Sequence, residues 1–357
     1  MNSFWQGKKI FITGHTGFKG SWLSLWLQHL GSKIVGYSLE PPTNPSLFEA
    51  ASVGKGMASI LGDIRDYESL SNAIQSYRPE IIFHMAAQSL VRESYQDPLG
   101  TMATNIMGTA HLLDAVRRCD SVRIVVNITS DKCYENKEWD KGYNESDPMG
   151  GFDPYSSSKG CAELITAAYR NAYFNLQRFD EHRVAVATVR AGNVIGGGDW
   201  AKDRLMPDIM RSVAAKEPVA IRNPRAIRPW QHVLDPLNGY LLLAERLWHQ
   251  GSEFSEAWNF GPSDSDAVPV GELTERIIKL WGNGASWVCD EGEPPHEAGL
   301  LKLDCSKAIE RLGWRPKLEL TKAVEWTVEW YRAYFEGLDN RALIFDQINR
   351  FNELRKE

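Results

Sequence analysis

The chain has 357 residues, of which 43% are hydrophobic and 24% are charged, a composition typical of a folded globular protein and not of a disordered or fibrous one. At about 150 residues per domain, this length predicts about two lobes. The 46 acidic side chains outnumber the 40 basic ones and give a formal net charge of −6, so no net positive field is available to hold a nucleic acid.

The sequence contains no pattern typical of a membrane span, a signal peptide or a metal site. The uncharged segment between Lys19 and Lys33 is shorter than the roughly 20 residues that cross a bilayer, and the apolar run at 10–13 is too short for a signal peptide. The five cysteines are widely spaced, with no CxxC pair and no histidine at ligand spacing. We therefore expect a cytoplasmic protein without a metal, a disulfide framework or a membrane contact.

Short β-branched runs alternate with longer helical patterns over the first half of the chain. The predicted strands are 9–13, 33–38, 57–61, 80–85, 122–129 and 183–189, and the predicted helices are 17–31, 66–77, 98–118 and 155–178. The strands are apolar on both faces, which is typical of a parallel sheet covered by helices on each side. The sequence thus predicts an α/β fold with a Rossmann-type doubly wound parallel sheet.

The second half of the chain has loops rich in Gly, Pro and Trp and shorter helices. These helices are predicted at 206–216, 235–249, 270–281, 305–312 and 321–336, and the run at 257–261 is expected to return to the sheet. We expect residues 1–190, together with 235–261, to form the Rossmann domain. Residues 191–234 and 262–357 are expected to form a smaller α/β lobe that binds the substrate, with the site in the cleft between the two.

The first predicted strand runs directly into a glycine-rich turn that opens the first long helix, Gly14-His15-Thr16-Gly17-Phe18-Lys19-Gly20. Glycines three residues apart let the backbone approach a pyrophosphate, and the helix N-terminus supplies N–H groups and a positive dipole. The turn therefore predicts a dinucleotide cofactor. Since no Lys or Arg lies between Lys33 and Lys55 to hold a 2′-phosphate, NAD is favoured over NADP.

The usual acidic ligand of the adenosine ribose is missing after the second strand. Tyr37 and Ser38 stand there, and Glu40 follows. Asp63 and Ile64, at the end of the third strand, are instead the candidates for contact with the adenine. Alternatively, Asp63 is the N-cap of the helix that follows, a role that its place in the sequence fits equally well.

A second set of residues carries the chemistry. Tyr155 and Lys159 lie one turn apart at the start of the fourth predicted helix, so they share a face. A lysine ammonium close to the phenol is expected to lower the pKa of the tyrosine, which can then exchange a proton with an alcohol near neutral pH. Ser130, Asp131 and Lys132 follow the fifth strand, at the edge where open α/β sheets keep their sites. With a bound nicotinamide, this set predicts alcohol oxidation.

Seven segments resemble the extended short-chain dehydrogenase/reductases, and among them the nucleotide-sugar 4,6-dehydratases. They are TGHTGFKG (13–20), HMAAQSLV (84–91), TSDKCYENKEW (129–139), YSSSK (155–159), RAGNVIGGGDW (190–200), RPWQHVLDPL (228–237) and LGWRP (312–316). The resemblance covers nearly the whole chain. It implies NAD as cofactor and the dehydration of CDP-glucose to its 4-keto-6-deoxy derivative, upstream of dideoxy sugars in lipopolysaccharide O-antigen. It also implies a homodimer packed through the helices at 98–118 and 155–178.

The resemblance also implies a role for each catalytic candidate. Ser130 would orient the sugar alcohol, Tyr155 would take the proton of its 4-hydroxyl, and Lys159 would tune the tyrosine and bind the nicotinamide ribose. Asp131 and Lys132 stand where the relatives acting on dTDP-glucose carry Asp-Glu. Asp131 is therefore expected to protonate the hydroxyl that leaves carbon 6, and Lys132, held neutral, to take the proton from carbon 5. The alternatives are that Asp131 only caps a loop and that Lys132 is a solvated surface charge.

Further contacts follow from the same resemblance. The expected cofactor contacts are Ala86, Ala87 and Asn105, and the expected substrate contacts are Gln88, Ser89, Asn193, Arg204, Arg228 and His296. Arginine supplies the paired donors that a diphosphate needs. His84 is expected to be a core histidine, and Trp200 and Trp230 are left open between base stacking and core packing.

Three other functions stay open. A nucleotide-sugar 4-epimerase shares the glycine turn, Tyr155 and Lys159, but does not need an elimination pair. An inverting UDP-N-acetylglucosamine dehydratase shares the Asp-Lys pair and resembles the rest of the chain less well. A dinucleotide-sensing regulator with the same fold would lack the tyrosine and the lysine. The residues present favour the 4,6-dehydratase.

Overall fold

A central sheet of seven parallel strands organises the computed structural model, which describes residues 2–282, 284–290 and 300–354. The described residues form these seven strands and six short ones outside the central sheet. In chain order, all of them are β1 (Lys9–Thr13), β2 (Lys33–Ser38), β3 (Ala58–Leu61), β4 (Ile81–His84), β5 (Ile124–Ile128), β6 (Ala185–Arg190), β7 (Val194–Ile195), β8 (Val219–Ile221), β9 (Ile227–Pro229), β10 (Gln231–His232), β11 (Ala257–Asn259), β12 (Ala267–Pro269) and β13 (Trp287–Cys289). The order across the sheet is β11-β6-β5-β4-β1-β2-β3.

Fourteen α-helices are present in the described residues. They are α1 (Asn2–Trp5), α2 (Phe18–His29), α3 (Leu47–Ala50), α4 (Tyr67–Tyr77), α5 (Val91–Gln96), α6 (Pro98–Met102), α7 (Gly108–Arg117), α8 (Pro154–Ala172), α9 (Phe179–His182), α10 (Leu205–Ala215), α11 (Leu234–Phe254), α12 (Val270–Trp281), α13 (Leu320–Phe335) and α14 (Asn340–Glu353). A π-helical turn, Ala103–Met107, joins α6 to α7.

The predicted doubly wound fold is confirmed. All six predicted strands are present with ends that differ by at most two residues, and the return to the sheet is β11, which pairs in parallel with β6. The helix predicted at 155–178 ends at Ala172 and is followed by a short 3₁₀ turn. The helix predicted at 305–312 contains a π-helical turn at Ala308–Leu312.

The two faces of the sheet bury separate apolar clusters. Ile10 and Ile12 of β1 belong to the larger cluster, which includes side chains of α2, α11, α13 and α14. Phe11, between them, belongs to a second cluster with side chains of α4 and α7. Since successive strand residues point to opposite faces, a strand covered on both sides needs an unbroken apolar run.

The carboxyl ends of β1, β4, β5 and β6 lie side by side at one edge of the sheet. The chain passes from β1 outward to β2 and β3 and then returns across β1 to β4, so the strand order reverses between β1 and β4. In open α/β sheets, ligands bind in the crevice above such a reversal. The loops that follow these four strands carry most of the predicted site residues.

A buried carboxylate at the start of α11 holds part of the C-terminal segment in place. Asp235 accepts hydrogen bonds from the backbone N–H groups of Lys317 (2.7 Å) and Leu318 (3.3 Å), and Trp314 donates to its carbonyl oxygen (3.1 Å). Burial raises the pKa of Asp235 to about 7. The segment around 314–318 is thereby fixed before α13 begins.

Within the described residues, none of the helices combines the length and apolarity that a bilayer crossing requires. All five cysteines are free thiols. The same part of the chain holds no cluster of three or more His, Cys, Asp or Glu side chains arranged for a metal ion.

Candidate active site

The glycine turn between β1 and α2 forms a cradle at the carboxyl edge of the sheet. A Cβ on Gly14, whose φ is +76°, would lie 2.7 Å from the backbone nitrogen of Ala86, and a Cβ on Gly20 would lie 2.1 Å from the carbonyl oxygen of Gly14. Gly17 is the N-cap of α2 and offers no side chain to the first N–H groups of the helix. These residues therefore fit the pyrophosphate of a dinucleotide.

Thr13 joins β1 to β4 just below this cradle. Its hydroxyl oxygen lies 2.7 Å from His84 Nδ1 and accepts hydrogen bonds from the backbone N–H groups of Met85 and Ala86. The other ring nitrogen of His84 lies 3.2 Å from the hydroxyl of Thr109. Burial lowers the pKa of His84 to about 3. His84 is thus a neutral, fully bonded core histidine, as predicted.

Two side chains of the glycine turn lie beneath it. His15 is buried against Gly36 of β2, and its Nε2 lies 2.7 Å from the hydroxyl of Ser59. Burial lowers the pKa of His15 to about 4. Thr16 donates to the carbonyl oxygen of Leu39 at 3.0 Å, which holds the loop after β2 close to the turn. His15 therefore supports the turn from inside the fold.

The structure separates two interpretations of Asp63. The N-cap of α4 is Asp66, which accepts a hydrogen bond from the backbone N–H of Ser69 at 3.1 Å, so the capping interpretation of Asp63 is wrong. Asp63 instead forms an ion pair with Arg65 (2.6 Å) beyond the end of β3. The hydrogen bond from Arg65 lowers the pKa of Asp63. Ile64, next to it, is buried in the smaller apolar cluster.

The catalytic candidates after β5 lie close to the tyrosine of α8. Ser130 donates its hydroxyl proton to Asp131 (2.9 Å) and accepts from the backbone N–H of Lys132 (3.2 Å). The Ser130 side chain also acts to lower the pKa of Tyr155, so these two side chains are neighbours. Ser130, Asp131 and Tyr155 are buried, and Lys132 is half-buried. The one donor position of the Ser130 hydroxyl is therefore taken by Asp131.

The electrostatics of Tyr155 differ from the expectation. Burial raises the pKa of Tyr155 to about 12, against the opposing effects of the Ser130 side chain and of the Arg204 charge. The predicted lowering of this pKa by Lys159 is therefore wrong, because desolvation of the phenolate dominates. Burial also lowers the pKa of Lys159 to about 8, and its ammonium donates to the carbonyl oxygen of Ile128 at 3.4 Å.

Lys19 links the glycine turn to this group. It lies in the first turn of α2, and burial lowers its pKa to about 8. The Arg204 charge contributes to this lowering, whereas the Asp131 carboxylate opposes it, so all three side chains share one electrostatic environment. The cofactor turn and the catalytic group thus meet at one place.

A buried carboxylate that the sequence analysis missed holds the catalytic elements together. Glu163 of α8 accepts hydrogen bonds from the hydroxyls of Thr129 (2.5 Å) and Thr188 (2.7 Å) and from two nitrogens of Arg190 (2.9 and 2.8 Å). Burial raises the pKa of Glu163, but Arg190 outweighs it and keeps the pKa below its ordinary value. The signal was present, since Glu163 follows Lys159 by one helical turn.

Asn105 connects the loop after β4 with α8. It lies in the π-helical turn, where its amide accepts from the backbone N–H of Gln88 (2.9 Å) and donates to the carbonyl oxygen of Gln88 (2.9 Å) and to Ser158 (2.8 Å). These bonds fix the segment that contains Ala87, next to the cradle. Asn105 therefore positions two other elements of the site.

The predicted substrate contacts Ser89 and Arg204 meet at the mouth of the site. Arg204 donates to the hydroxyl of Ser89 (3.1 Å) and pairs with Asp199 (3.2 Å). Gln88 donates to the carbonyl oxygen of Leu90 and to Thr101, so its amide is engaged within the chain. The Ser89–Arg204 contact joins the loop after β4 to the segment that precedes α10.

A second contact spans the same gap. Asp203 accepts from Arg92 (2.9 Å) and lies 3.5 Å from Arg222. Together with Arg204, this arrangement brings three guanidinium groups to the mouth of the site. A cluster of this kind suits a doubly charged ligand such as a diphosphate.

The other predicted substrate residues lie on separate elements of the fold. Asn193 follows β6 with a φ of +50°, and Arg228 lies on β9. Trp200 is buried in an aromatic cluster with side chains of α13, and Trp230 is buried as well, so both belong to the core. His296 lies outside the described residues.

Comparison with known proteins identifies relatives over the whole chain. The family model described as GDP-mannose 4,6 dehydratase matches residues 11–263. A CDP-glucose 4,6-dehydratase of Salmonella typhimurium is 57% identical over 337 residues, which cover 94% of each chain. A dTDP-glucose 4,6-dehydratase of an Actinoplanes species is 26% identical and covers 91% of this chain and 98% of its own.

Solved structures share the fold at lower identity. A UDP-glucose 4-epimerase of Thermotoga maritima, solved with UDP-glucose, matches with a TM-score of 0.78 at 22% identity and covers 91% of this chain and 99% of its own. A dTDP-glucose 4,6-dehydratase of Bacillus anthracis, solved in complex with NAD, matches with a TM-score of 0.75 at 22% identity, over 94% of this chain and 100% of its own.

Replacing Glu163 by Gln should destabilise the protein strongly, because it leaves the buried Arg190 guanidinium without its counter-charge. We expect a loss of about 3 kcal/mol in the free energy of unfolding, measured by urea denaturation. Glu181→Gln, which removes one charge of the exposed Arg178–Glu181 pair, is the matched control and should unfold like the wild type. Equal midpoints for the two variants would contradict a structural role of Glu163.

Proposed function

The chain belongs to the GDP-mannose 4,6 dehydratase family, and within that family we propose that it converts CDP-D-glucose to CDP-4-keto-6-deoxy-D-glucose with bound NAD. The Salmonella relative, at 57% identity over nearly the whole chain, supports the choice of nucleotide and sugar. The glycine turn, with its open helix N-terminus, supports a dinucleotide cofactor. Since no Lys or Arg lies between Lys33 and Lys55 to hold a 2′-phosphate, NAD is favoured over NADP.

One observation carries the reaction type. Ser130 donates a hydrogen bond to Asp131, which suits protonation of a leaving group, and lies beside Tyr155, which suits proton exchange with a sugar alcohol. An oxidation alone needs only the tyrosine, whereas a dehydration also needs an acid close by. The juxtaposition of the two groups favours a 4,6-dehydratase over a 4-epimerase.

The first half of the reaction uses residues of α8. Tyr155 removes the proton of the 4-hydroxyl, and Lys159 supplies positive charge beside it. Because burial raises the pKa of Tyr155 to about 12, proton removal depends on the positive groups around the phenol, and the Arg204 charge acts to lower this pKa. When bound, NAD accepts a hydride from carbon 4 and returns it to carbon 6, so the reaction has no net redox change.

The second half uses the turn after β5. The ketone at carbon 4 acidifies the proton on carbon 5, and Lys132 in its neutral form removes that proton. Asp131 donates a proton to the hydroxyl that leaves carbon 6 as water. Lys132 then returns a proton to carbon 5 when carbon 6 receives the hydride. Lys132 is half-buried and Asp131 is buried, so both can face a bound sugar at the carboxyl edge of the sheet.

Substrate binding follows from the residues at the mouth of the site. Residues 1–190 with 235–261 form the NAD-binding domain in this proposal, and residues 191–234 and 262–357 form the nucleotide-sugar lobe. Arg204 exchanges its contact with Ser89 for oxygens of the diphosphate, and Arg228 and Asn193 add donors from the second lobe.

A homodimer is part of the proposal. Three large apolar side chains on the adjacent segments α6, Ala103–Met107 and α8 are exposed: Leu99 at 81%, Leu164 at 59% and Met107 at 50%. Such residues clustered on neighbouring helices are typical of a protein interface. A second copy of this chain, related by a two-fold axis, would cover them.

The free cysteines suit a reducing compartment, which supports the cytoplasm as the place of action. A 4-keto-6-deoxy product retains a carbonyl group that reductases and aminotransferases can use. We therefore place the reaction upstream of dideoxy-sugar synthesis for lipopolysaccharide O-antigen.

The function is tested by supplying the purified protein with NAD and, in separate reactions, with CDP-, dTDP-, UDP- and GDP-glucose. The product is followed by mass and by the alkaline absorbance of 4-keto-6-deoxy sugars. We expect loss of water from CDP-glucose at a rate at least tenfold above that from the others. A product of unchanged mass that is epimerised at carbon 4 would contradict the proposal and support a 4-epimerase, whereas cofactor binding without turnover would support a sensor.

Lys132→Ala should block the elimination and spare the oxidation, because it removes the base and leaves Tyr155 in place. Incubation in heavy water with CDP-glucose should show no incorporation of deuterium at carbon 5, while reduced nicotinamide still forms. Lys137→Ala, which changes a more exposed lysine of the same loop, is the control. Wild-type exchange in the Lys132 variant would refute the assignment of the base.

The dimer is tested by sedimentation of the Leu164→Glu variant. A buried charge on α8 should shift the protein from a species of twice the chain mass to a single chain. Leu338→Glu, at a comparably exposed leucine (56%) beyond α13, should leave the dimer intact. A wild-type protein that sediments as a single chain at micromolar concentration would exclude the dimer.

A further inference from the structure

The loop after β6 presses the backbone of Gly192 against the carboxylate of Asp131. A Cβ at position 192 would lie 1.8 Å from Asp131 Oδ2 and 2.1 Å from its Cγ, far inside any real contact. Asp131 can therefore keep its place only if residue 192 has no side chain. We propose that Gly192 is a positioning residue that holds the Asp131 carboxylate where it protonates the departing 6-hydroxyl, an inference that rests on the proposed dehydratase function.

Hydrogen bonds from Gln231 fix the backbone at Gly192. Gln231, which is 1% exposed, donates its amide protons to the carbonyl oxygens of Gly192 (3.1 Å) and Phe260 (2.9 Å). The backbone N–H of Gln231 donates to the carbonyl oxygen of Asn193 (3.2 Å). These bonds keep the loop from moving away from Asp131. An added methyl group would displace the carboxylate rather than the loop.

The carboxylate is fixed on its other side by a hydrogen bond from Ser130 (2.9 Å). Asp131 is 5% exposed, and rotation about its two side-chain torsions can move the carboxylate while its backbone stays in the 3₁₀ turn. A substitution at position 192 therefore breaks the bond to Ser130 and moves the acid. A displacement of about 1 Å of a catalytic group can cost a hundredfold in rate.

The effect is specific to one half of the reaction. Tyr155 and Lys159 lie on α8, and neither is among the nearest atoms to a Cβ at position 192. Oxidation at carbon 4 should therefore survive a change at Gly192, whereas the elimination should not. A general distortion of the site would slow both halves together.

The experiment compares Gly192→Ala with the wild type and with Gly100→Ala, using CDP-glucose and NAD. Gly100→Ala is the matched control, since a Cβ there would lie 1.9 Å from Asp97 Oδ2, outside the site. We expect Gly192→Ala to form the 4-keto-6-deoxy product at least about a hundredfold more slowly. Reduced nicotinamide should still form within threefold of the wild-type rate in a single turnover and should accumulate. Gly100→Ala should behave as the wild type in both steps.

The inference is overturned if Gly192→Ala makes product within threefold of the wild-type rate, or if its oxidation and elimination slow by the same factor. If the wild type itself removes no water from CDP-glucose, the proposed function fails before this comparison is reached. A wild type that dehydrates CDP-glucose beside an equally active Gly192→Ala protein refutes only the positioning role.

A second measurement is independent of turnover. Asp131→Ala removes the carboxylate and makes room for a methyl group at position 192. The drop in thermal unfolding midpoint caused by Gly192→Ala should therefore vanish in the Asp131→Ala background, which is a coupling that only contact between the two residues produces. If Gly192→Ala fails to fold and the double variant folds, the contact is supported. If neither folds, or if the two losses add, the inference is wrong.

Discussion

The buried carboxylate of Glu163 is the interaction on which the site depends. It binds the ends of β5 and β6 through Thr129 and Arg190 and projects from α8, the helix that carries Tyr155 and Lys159. Taking a carboxylate out of water is expensive, and here a guanidinium and two hydroxyls compensate that cost. Burial lowers the pKa of Lys159, and the Glu163 charge opposes that lowering. One ion pair thus aligns α8 and also acts on the charge of its lysine.

The sequence predicts the fold and the members of the catalytic group because both depend on local patterns. The unbroken apolar strands, the glycine turn and the one-turn spacing of Tyr155 and Lys159 can be read within a few residues. The direction of the Tyr155 pKa cannot, because it is set by burial among distant segments. The two readings of Asp63 also needed the structure, since two carboxylates near the start of α4 compete for the cap. Contact between Asp131 and Gly192, far apart in sequence, leaves no local signature.

Proteins with this fold include epimerases and dehydratases, so the sheet and the cofactor turn alone do not select a reaction. In the function that we propose, the difference lies in the few residues after β5 and β6. Tyr155 and the Asp131 carboxylate are both neighbours of Ser130, so the proposed base and the proposed acid lie close together. The environment of each group, more than its identity, decides which one takes and which one gives a proton.

The π-helical turn at Ala103–Met107 restricts where the chain can lose a residue. Such a turn holds one residue more than the α-helix it interrupts, so everything after it is rotated by about 100° relative to an uninterrupted helix. α6, the turn and α7 all pack against α8, and α7 also packs against α4, while Asn105 in the turn reaches Gln88 and Ser158. Deletion of one residue from this turn would move the Asn105 amide away from its hydrogen-bond partners without shortening any strand. In an alignment of homologues, a single-residue gap at this position would mark chains in which other residues must connect the loop after β4 to α8.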